Sequence, residues 1–345
     1  MNHNTIQQTS ALKRIGRWVR LISLGLLAML LIVMLGGFAF ERLAQASDAR
    51  NYPAPGQMVA VGDHQLHFYV TGEATDQPTI IFEAGNGGFS SQWVWIQEAL
   101  STQTRVVSYD RAGLGWSESD SQPRDVFRNA EQLRTGLTAL NIEPPYILVG
   151  HSLGGMFILA YAEQYPDEVA GLVFLDSSHP DQINRMPSEL VDAQQNATGI
   201  GNIASVLAHF GVIRLLQPNA PFVAALPERQ KAESLAISST SRYVSSTFGE
   251  LIVFDDVPDQ LGNLRDFGDM PIIALTAGEQ LNNPDLPASF GEVLLELHTE
   301  LASISTNGEH RIIKGADHYT ILMGQDYARQ VVAAIHDVMD AVSFN

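Results

Sequence analysis

The run Tyr146-Ile147-Leu148-Val149-Gly150-His151-Ser152-Leu153-Gly154-Gly155-Met156-Phe157-Ile158-Leu159-Ala160-Tyr161 decides the fold. It opens on four apolar residues, two of them β-branched, which read as a strand buried on both faces. It closes on an apolar stretch of helical character. Between them, residues 150–154 match G-x-S-x-G. The bare pattern is weak, but a strand–turn–helix setting gives it meaning. The turn is so tight that its central residue takes strained dihedrals, and glycines two positions to either side remove Cβ clashes. Ser152 then presents its hydroxyl at the start of a helix, whose N-terminal dipole favours developing negative charge. The plainer alternative is an incidental serine in a glycine-rich turn, and the partner residues below weigh against it.

Outward from this run, strand and helix patterns alternate. Strand-like stretches fall at 58–61, 65–70, 79–83, 105–109, 146–149, 171–175, 272–276 and 311–314. Helical ones fall at 92–100, 126–140, 153–165 and 327–342. Such alternation implies an α/β fold, a mostly parallel sheet covered by helices on both faces. The alternation breaks over 179–269, a proline-punctuated and mostly helix-like stretch. It reads as a helical cap or lid inserted into a core formed by 57–178 and 270–345. Ligands of open α/β sheets bind beyond the carboxyl ends of the strands, where such a cap would shape a pocket.

A serine hydroxyl is a poor nucleophile until a base accepts its proton. The chain order nucleophile, acid, histidine puts the base after the last strand. His318, in Gly315-Ala316-Asp317-His318-Tyr319, stands there with a helical pattern following. The third partner, a carboxylate to orient the imidazole, has two candidates at strand ends, Asp176 and Glu279. Asp176 is preferred, as the shorter side chain immediately at a strand end. Each also has a structural reading: Asp176 as a turn cap, Glu279 as a solvated surface group. Glu83-Ala84-Gly85-Asn86-Gly87-Gly88 follows the strand 79–83. Backbone N–H groups of Asn86 and Leu153 are the expected oxyanion donors; a plain glycine-rich turn is the alternative. A phosphate loop is not read here, because both P-loop and dinucleotide patterns are missing. His64 and His67 sit three apart on a strand-like stretch and so are poor metal ligands.

Residues 21–40 form a run of 20 without a charged side chain. As a helix it spans about 30 Å, the thickness of a hydrocarbon core. Lys13, Arg14, Arg17 and Arg20 precede it. The expectation is a basic cytoplasmic N-terminus (1–20), one transmembrane anchor (21–40), a linker (41–56) and an extracytoplasmic body. A cleavable signal peptide, with Ala44-Gln45-Ala46 as its small-residue site, is the competing reading; the run exceeds the usual signal core of about 7–15 apolar residues. In that case the body is secreted. The net charge is −18 and all 38 acidic side chains lie after residue 40. An acidic body repels polyphosphate, so no nucleic-acid partner is expected. The chain has no cysteine, which excludes disulfides, thiolate metal sites and cysteine nucleophiles.

The pieces EAGNGG, SYDRAGLGWSE (108–118), GHSLGG, GLVFLDSSHPDQ (171–182) and GADHY occur in one order over about 57–342. In this the chain resembles the α/β-hydrolase superfamily, in its serine-nucleophile branch. The resemblance implies an eight-stranded sheet with a helical cap and catalytic Ser152 and His318. Two departures stand out. Ala84-Gly85 replaces the common His-Gly by the oxyanion hole, and Leu281 occupies the place of the frequent G-x-x-D acid. That leaves Asp176, at a position some lipase-like relatives use for the acid, or Glu279. Ser152 separates the chain from relatives with an aspartate nucleophile. The expected activity is hydrolysis of a small-molecule ester or other acyl substrate, carboxylesterase- or lipase-like. No metal or organic cofactor is implied. Two rivals are a membrane-tethered binding or signalling protein without turnover, and aminopeptidase, thioesterase or carbon–carbon hydrolase chemistry.

Overall fold

The computed structural model describes residues 3–262 and 264–342. Residues 1–2 of the expected N-terminus, 263 of the expected cap and 343–345 of the expected core lie outside the described residues.

Helix α1 (His3–Asn51) leads into the hairpin β1 (Gln57–Val61) and β2 (His64–Thr71). Then follow β3 (Thr79–Glu83), α2 (Val94–Leu100), β4 (Val106–Tyr109), α3 (Val126–Ala139), β5 (Tyr146–His151), α4 (Gly154–Gln164) and β6 (Val169–Leu175). Six helices intervene before the next strand: α5 (Gln182–Arg185), α6 (Ser188–Ala208), α7 (Val212–Leu216), α8 (Glu228–Ser238), α9 (Ser241–Gly249) and α10 (Val253–Leu261). The chain returns as β7 (Ile272–Ala277), α11 (Phe290–Ser303), β8 (Gly308–Ile313), α12 (Thr320–Met323) and α13 (Gln325–Ala341).

The eight strands form one sheet in the order β1-β2-β4-β3-β5-β6-β7-β8. β2 pairs antiparallel with β1 and β4, and all other pairs are parallel. The fold is the mostly parallel α/β sandwich expected from the alternation. Period-two side-chain alternation divides each central strand between two cores. Ile81, Val107, Leu148, Leu172 and Phe174 pack with Leu133, Leu137 and Met156 on one face. Ile80, Phe82, Ile147, Val149, Val173 and Leu275 pack with Ile96, Leu100, Val331 and Ile335 on the other. In register, Glu83 lies opposite Gly150, and His151 opposite Leu175, which also faces Leu275. The carboxyl ends of β3, β5, β6 and β7 are therefore level, so loops leaving them converge.

Two parts differ from expectation. The linker expected over 41–56 is helical as far as Asn51. No glycine or proline interrupts 41–51, and Glu41 is fully buried where it pairs with Arg214 of α7. Tertiary pairing thus extends a locally polar segment as helix. Helix α11 lay outside the expected set. Its buried Leu294, Leu297, His298 and Leu301 recur at helical spacing, and its polar face hides that periodicity in composition. The Arg14–Asn51 part of α1 contains an 18-residue window of mean hydropathy 2.6, none of it buried, and so is long and apolar enough to cross a membrane.

Candidate active site

Ser152 occupies the bend between β5 and α4 with φ 53°. This left-handed conformation is strained for a side-chain-bearing residue. The bend is tight enough that a Cβ on Gly150 would lie 2.6 Å from the Gly154 carbonyl oxygen. The neighbouring strand braces it: the Ser152 N–H donates to Leu175 O at 3.2 Å, and the Ser178 N–H donates to Ser152 O at 2.8 Å. Strain at this point is held by the sheet rather than by the bend itself.

Asp176 follows the last residue of β6, also with positive φ (45°), a conformation that aspartate tolerates better than most residues. Its carboxylate turns back toward β7. Oδ1 accepts the Ala277 N–H at 2.8 Å, and Oδ2 accepts from the Gln280 side-chain amide. His318 lies on the loop after β8. Its Nδ1–H donates to Asp176 Oδ2 at 2.6 Å, which leaves Nε2 to accept the Ser152 hydroxyl at 3.0 Å. Burial by itself raises the pKa of Asp176, but the hydrogen bond and charge of His318 outweigh it and hold the carboxyl below its ordinary value. The structure thus brings Ser152, His318 and Asp176 into one hydrogen-bonded series. Glu279 stays exposed and outside it, with its N–H on Ala316 O. The series has the donors and acceptors that general-base activation of a serine hydroxyl requires.

The loop after β3 closes over the serine. A Cβ on Gly85 would lie 2.9 Å from Ser152 Cβ, so only glycine allows this approach. Gly85 and Asn86 line a cavity of about 280 Å³ with Ser152, His318, Phe222 and Tyr319. The N–H groups of Asn86 and Leu153 meet no acceptor among the described residues. The Asn86 side chain is turned instead to Thr247 O, 3.1 Å away.

Several contributors carry no signal in the sequence reading. Arg111, inside the quoted run 108–118, is buried beneath the glycine-rich loop after β3. Its Nη1 donates to Glu83 Oε1 at 2.7 Å and to Ala84 O at 2.5 Å, and its Nη2 donates to Gly85 O at 2.7 Å. Its Nε pairs with Glu250 Oε1 at 2.7 Å. Burial disfavours the Arg111 charge, but Glu250 and Glu83 more than compensate and raise its pKa. Glu83, in turn, is raised by burial against the lowering effect of Arg111. His151 donates from Nε2 to the His318 carbonyl at 2.8 Å and so ties the histidine loop to the elbow. Burial, then the neighbouring His318, push the pKa of His151 down to about 3, so its ring stays neutral. The only sequence clue to His151 is its place inside the G-x-S-x-G motif.

The donor atoms of Asp63, His64 and Asp120 lie within 4.8 Å of one another. None of the three lines the Ser152 cavity, and Asp120 is already paired with Arg128.

A family model described as alpha/beta hydrolase fold matches residues 78–202, which span β3, β5, the serine bend and β6. Together with the sheet order, this match shows that the chain has the α/β-hydrolase fold. Among the relatives is a (lyso)-N-acylphosphatidylethanolamine lipase of Bos taurus, 28% identical over 163 residues, or 46% of this chain and 47% of that one. The matched region spans about half the length of this curated relative. The Cif epoxide hydrolase from Acinetobacter nosocomialis shares the fold at TM-score 0.68 and 16% identity, covering 88% of this chain and 96% of its own. A thermophilic esterase from Thermogutta terrifontis does so at TM-score 0.59 and 19% identity, covering 84% and 100%.

Proposed function

We propose that the protein is a serine hydrolase that cleaves an ester-like or other acyl substrate through Ser152, His318 and Asp176. The observation that carries this reading is the series Asp176–His318–Ser152, at 2.6 and 3.0 Å, with Ser152 and His318 in the cavity wall. His318 Nε2 takes the hydroxyl proton as Ser152 Oγ bonds to the carbonyl carbon, and the carbonyl π electrons move to oxygen. The Asn86 and Leu153 N–H groups hold that oxyanion. Asp176 stabilises the imidazolium without itself taking the proton. Collapse expels the leaving group, which receives the proton from His318. A water molecule, deprotonated by His318, then attacks the acyl carbon; the acid departs and Ser152 recovers its hydrogen. These steps use no metal or organic cofactor.

The lipase among the relatives supports an ester-cleaving over a carbon–carbon-cleaving reaction. Residues 179–269 act as the cap over the cavity. Helix α1 anchors the protein in a membrane, with the basic N-terminus in the cytoplasm and the body outside it. Burial of Glu41 against Arg214 favours retention of this anchor, because cleavage near Ala46 would discard Glu41.

A fluorophosphonate probe tests the reading on the full chain in detergent. It labels wild type and fails to label Ser152→Ala, and only wild type hydrolyses p-nitrophenyl butyrate. Equal labelling of the two proteins overturns the proposal. Labelling without ester turnover supports the non-turnover rival.

A further inference from the structure

From Ala193 to Pro227 the chain carries no carboxylate, although it holds 38 acidic side chains elsewhere. Arg214 is the only Lys or Arg in that stretch. The stretch covers the C-terminal part of α6, all of α7 and the turns that follow, and it is apolar on its outside. Ile200, Ile203 and Leu207 recur on one exposed face of α6; Leu215 and Leu216 of α7 are 73% and 72% exposed. A surface of this kind is not a normal face of a soluble acidic domain.

Its one cation points away from that surface. Arg214 donates from Nε and Nη2 to Glu41, at 2.8 and 3.0 Å, and from Nη1 to Asp48 at 2.7 Å. Glu41 and Asp48 belong to α1, just past the apolar run. The two backbones also meet. A Cβ on Gly37 would lie 2.6 Å from Phe210 O, and one on Gly211 would lie 2.7 Å from the Phe40 ring. Gly37 stands three residues before the end of the apolar run, which is about 4.5 Å along the helix axis. Wherever α1 enters a bilayer, the turn at 210–211 sits at the level where hydrocarbon gives way to headgroups.

The same stretch walls the Ser152 cavity. Asn219, Phe222 and Val223 line it, and the Phe222 ring packs on Tyr319, next to His318, at 4.6 Å between centroids. Phe222 is also 43% exposed. One short segment therefore forms both the outer apolar surface and an inner wall of the site.

We infer that the cap surface 200–222 rests in the membrane that holds α1, and that the Ser152 cavity takes a lipid acyl ester directly from that bilayer. The substrate half rests on the serine-hydrolase reading above; the membrane half does not. Three features point to lipid: physical continuity with the membrane-length helix, absence of carboxylates that anionic lipid would repel, and an apolar face like that of an interfacial helix.

The cysteine-free sequence makes the test direct. Single cysteines replace Ile203, Leu215 and, as control, exposed Asp76, which precedes β3 at the amino ends of the parallel strands, opposite the cavity. Each full-length variant is labelled with an NBD fluorophore and placed in phosphatidylcholine vesicles with or without doxyl-labelled lipid. Doxyl lipid quenches the labels at 203 and 215 at least about twofold more than the label at 76. Equal quenching at all three overturns the inference. Labels at 203 and 215 that are blue-shifted but not quenched also overturn it, and point to a second protein surface there.

In the double variant Leu215→Glu/Leu216→Glu, hydrolysis of p-nitrophenyl butyrate stays near wild type. Hydrolysis of p-nitrophenyl palmitate held in the vesicles falls about tenfold. Unchanged palmitate hydrolysis overturns lipid entry by this route. Should both activities fall together, the quenching result decides. If wild type hydrolyses neither ester, the serine-hydrolase reading fails while the quenching result still stands or falls alone.

Discussion

Arg111, just after β4, and Glu250, between α9 and α10, form a two-pronged ion pair: Nε to Oε1 at 2.7 Å and Nη2 to Oε2 at 2.9 Å. Both side chains are buried, and Arg111 holds the carbonyls of Ala84 and Gly85 at the same time. The pair thus fastens the inserted helices to the loop beside Ser152.

Removing the cation leaves Glu83 and Glu250 buried together without a counter-charge. Arg111→Met accordingly destabilises the protein by about 3–5 kcal/mol. Glu250→Gln, which leaves Arg111 its bond to Glu83, costs less, about 1–3 kcal/mol. Urea unfolding of the detergent-solubilised chain measures both. Equal stability of wild type and Arg111→Met refutes the structural role.

Asp176 and Glu279 separate cleanly by mutation. Asp176→Asn leaves His318 Nδ1 without its carboxylate, and kcat for p-nitrophenyl butyrate falls about 10³–10⁴-fold with KM little changed. Glu279→Gln, altered at an exposed position, keeps the wild-type rate. A large loss in the second variant and none in the first reverses the assignment.

Gln280 donates to the carboxylate oxygen that also receives His318. Gln280→Met removes that donor and keeps the bulk. The loss of one hydrogen bond to a charged group, about 1.5 kcal/mol, lowers kcat roughly tenfold. Steady-state kinetics on the soluble ester provide the check, run well below the unfolding temperature of the variant, and an unchanged kcat refutes the positioning role.

His151 gives the stability a pH slope of known sign. Its folded pKa lies near 3, below the ordinary 6.5. Between these values the unfolded chain binds a proton that the folded one does not, so stability rises with pH through this window. The contribution is complete above pH 6.5 and declines by about 1.4 kcal/mol per pH unit as the medium is acidified toward pH 3. Replacement His151→Gln, which keeps a donor for the His318 carbonyl, removes this share of the slope. Unfolding in urea at pH 7, 5.5 and 4.5 reads the difference, and identical slopes in the two proteins refute it.

Much of the architecture could be read from residue types because it follows from local chemistry. Continuous apolar runs such as YILV and GLVFL can be satisfied only inside a covered sheet, and the glycines around Ser152 are demanded by a bend of that sharpness. An imidazole in the loop just after the last strand, ahead of a helical pattern, marked His318. Local pattern also left the acid open between two strand ends. It carried no sign of Arg111, Glu250, Gln280 or His151 as partners, because each acts on groups distant in the chain or placed by strand register.

From order and spacing alone, the polypeptide determined a covered parallel sheet, a serine on a tight turn, a histidine near its far end and an N-terminal helix of membrane length. Tertiary structure decided that Asp176 rather than Glu279 reaches His318, that Arg111 pins the glycine-rich loop, and that α1 continues past its apolar run to meet Arg214. The physical reason is the same in each case. Backbone geometry and hydrophobic burial are set by near neighbours, whereas buried charges and hydrogen bonds depend on which atoms the folded sheet brings within about 3 Å of one another.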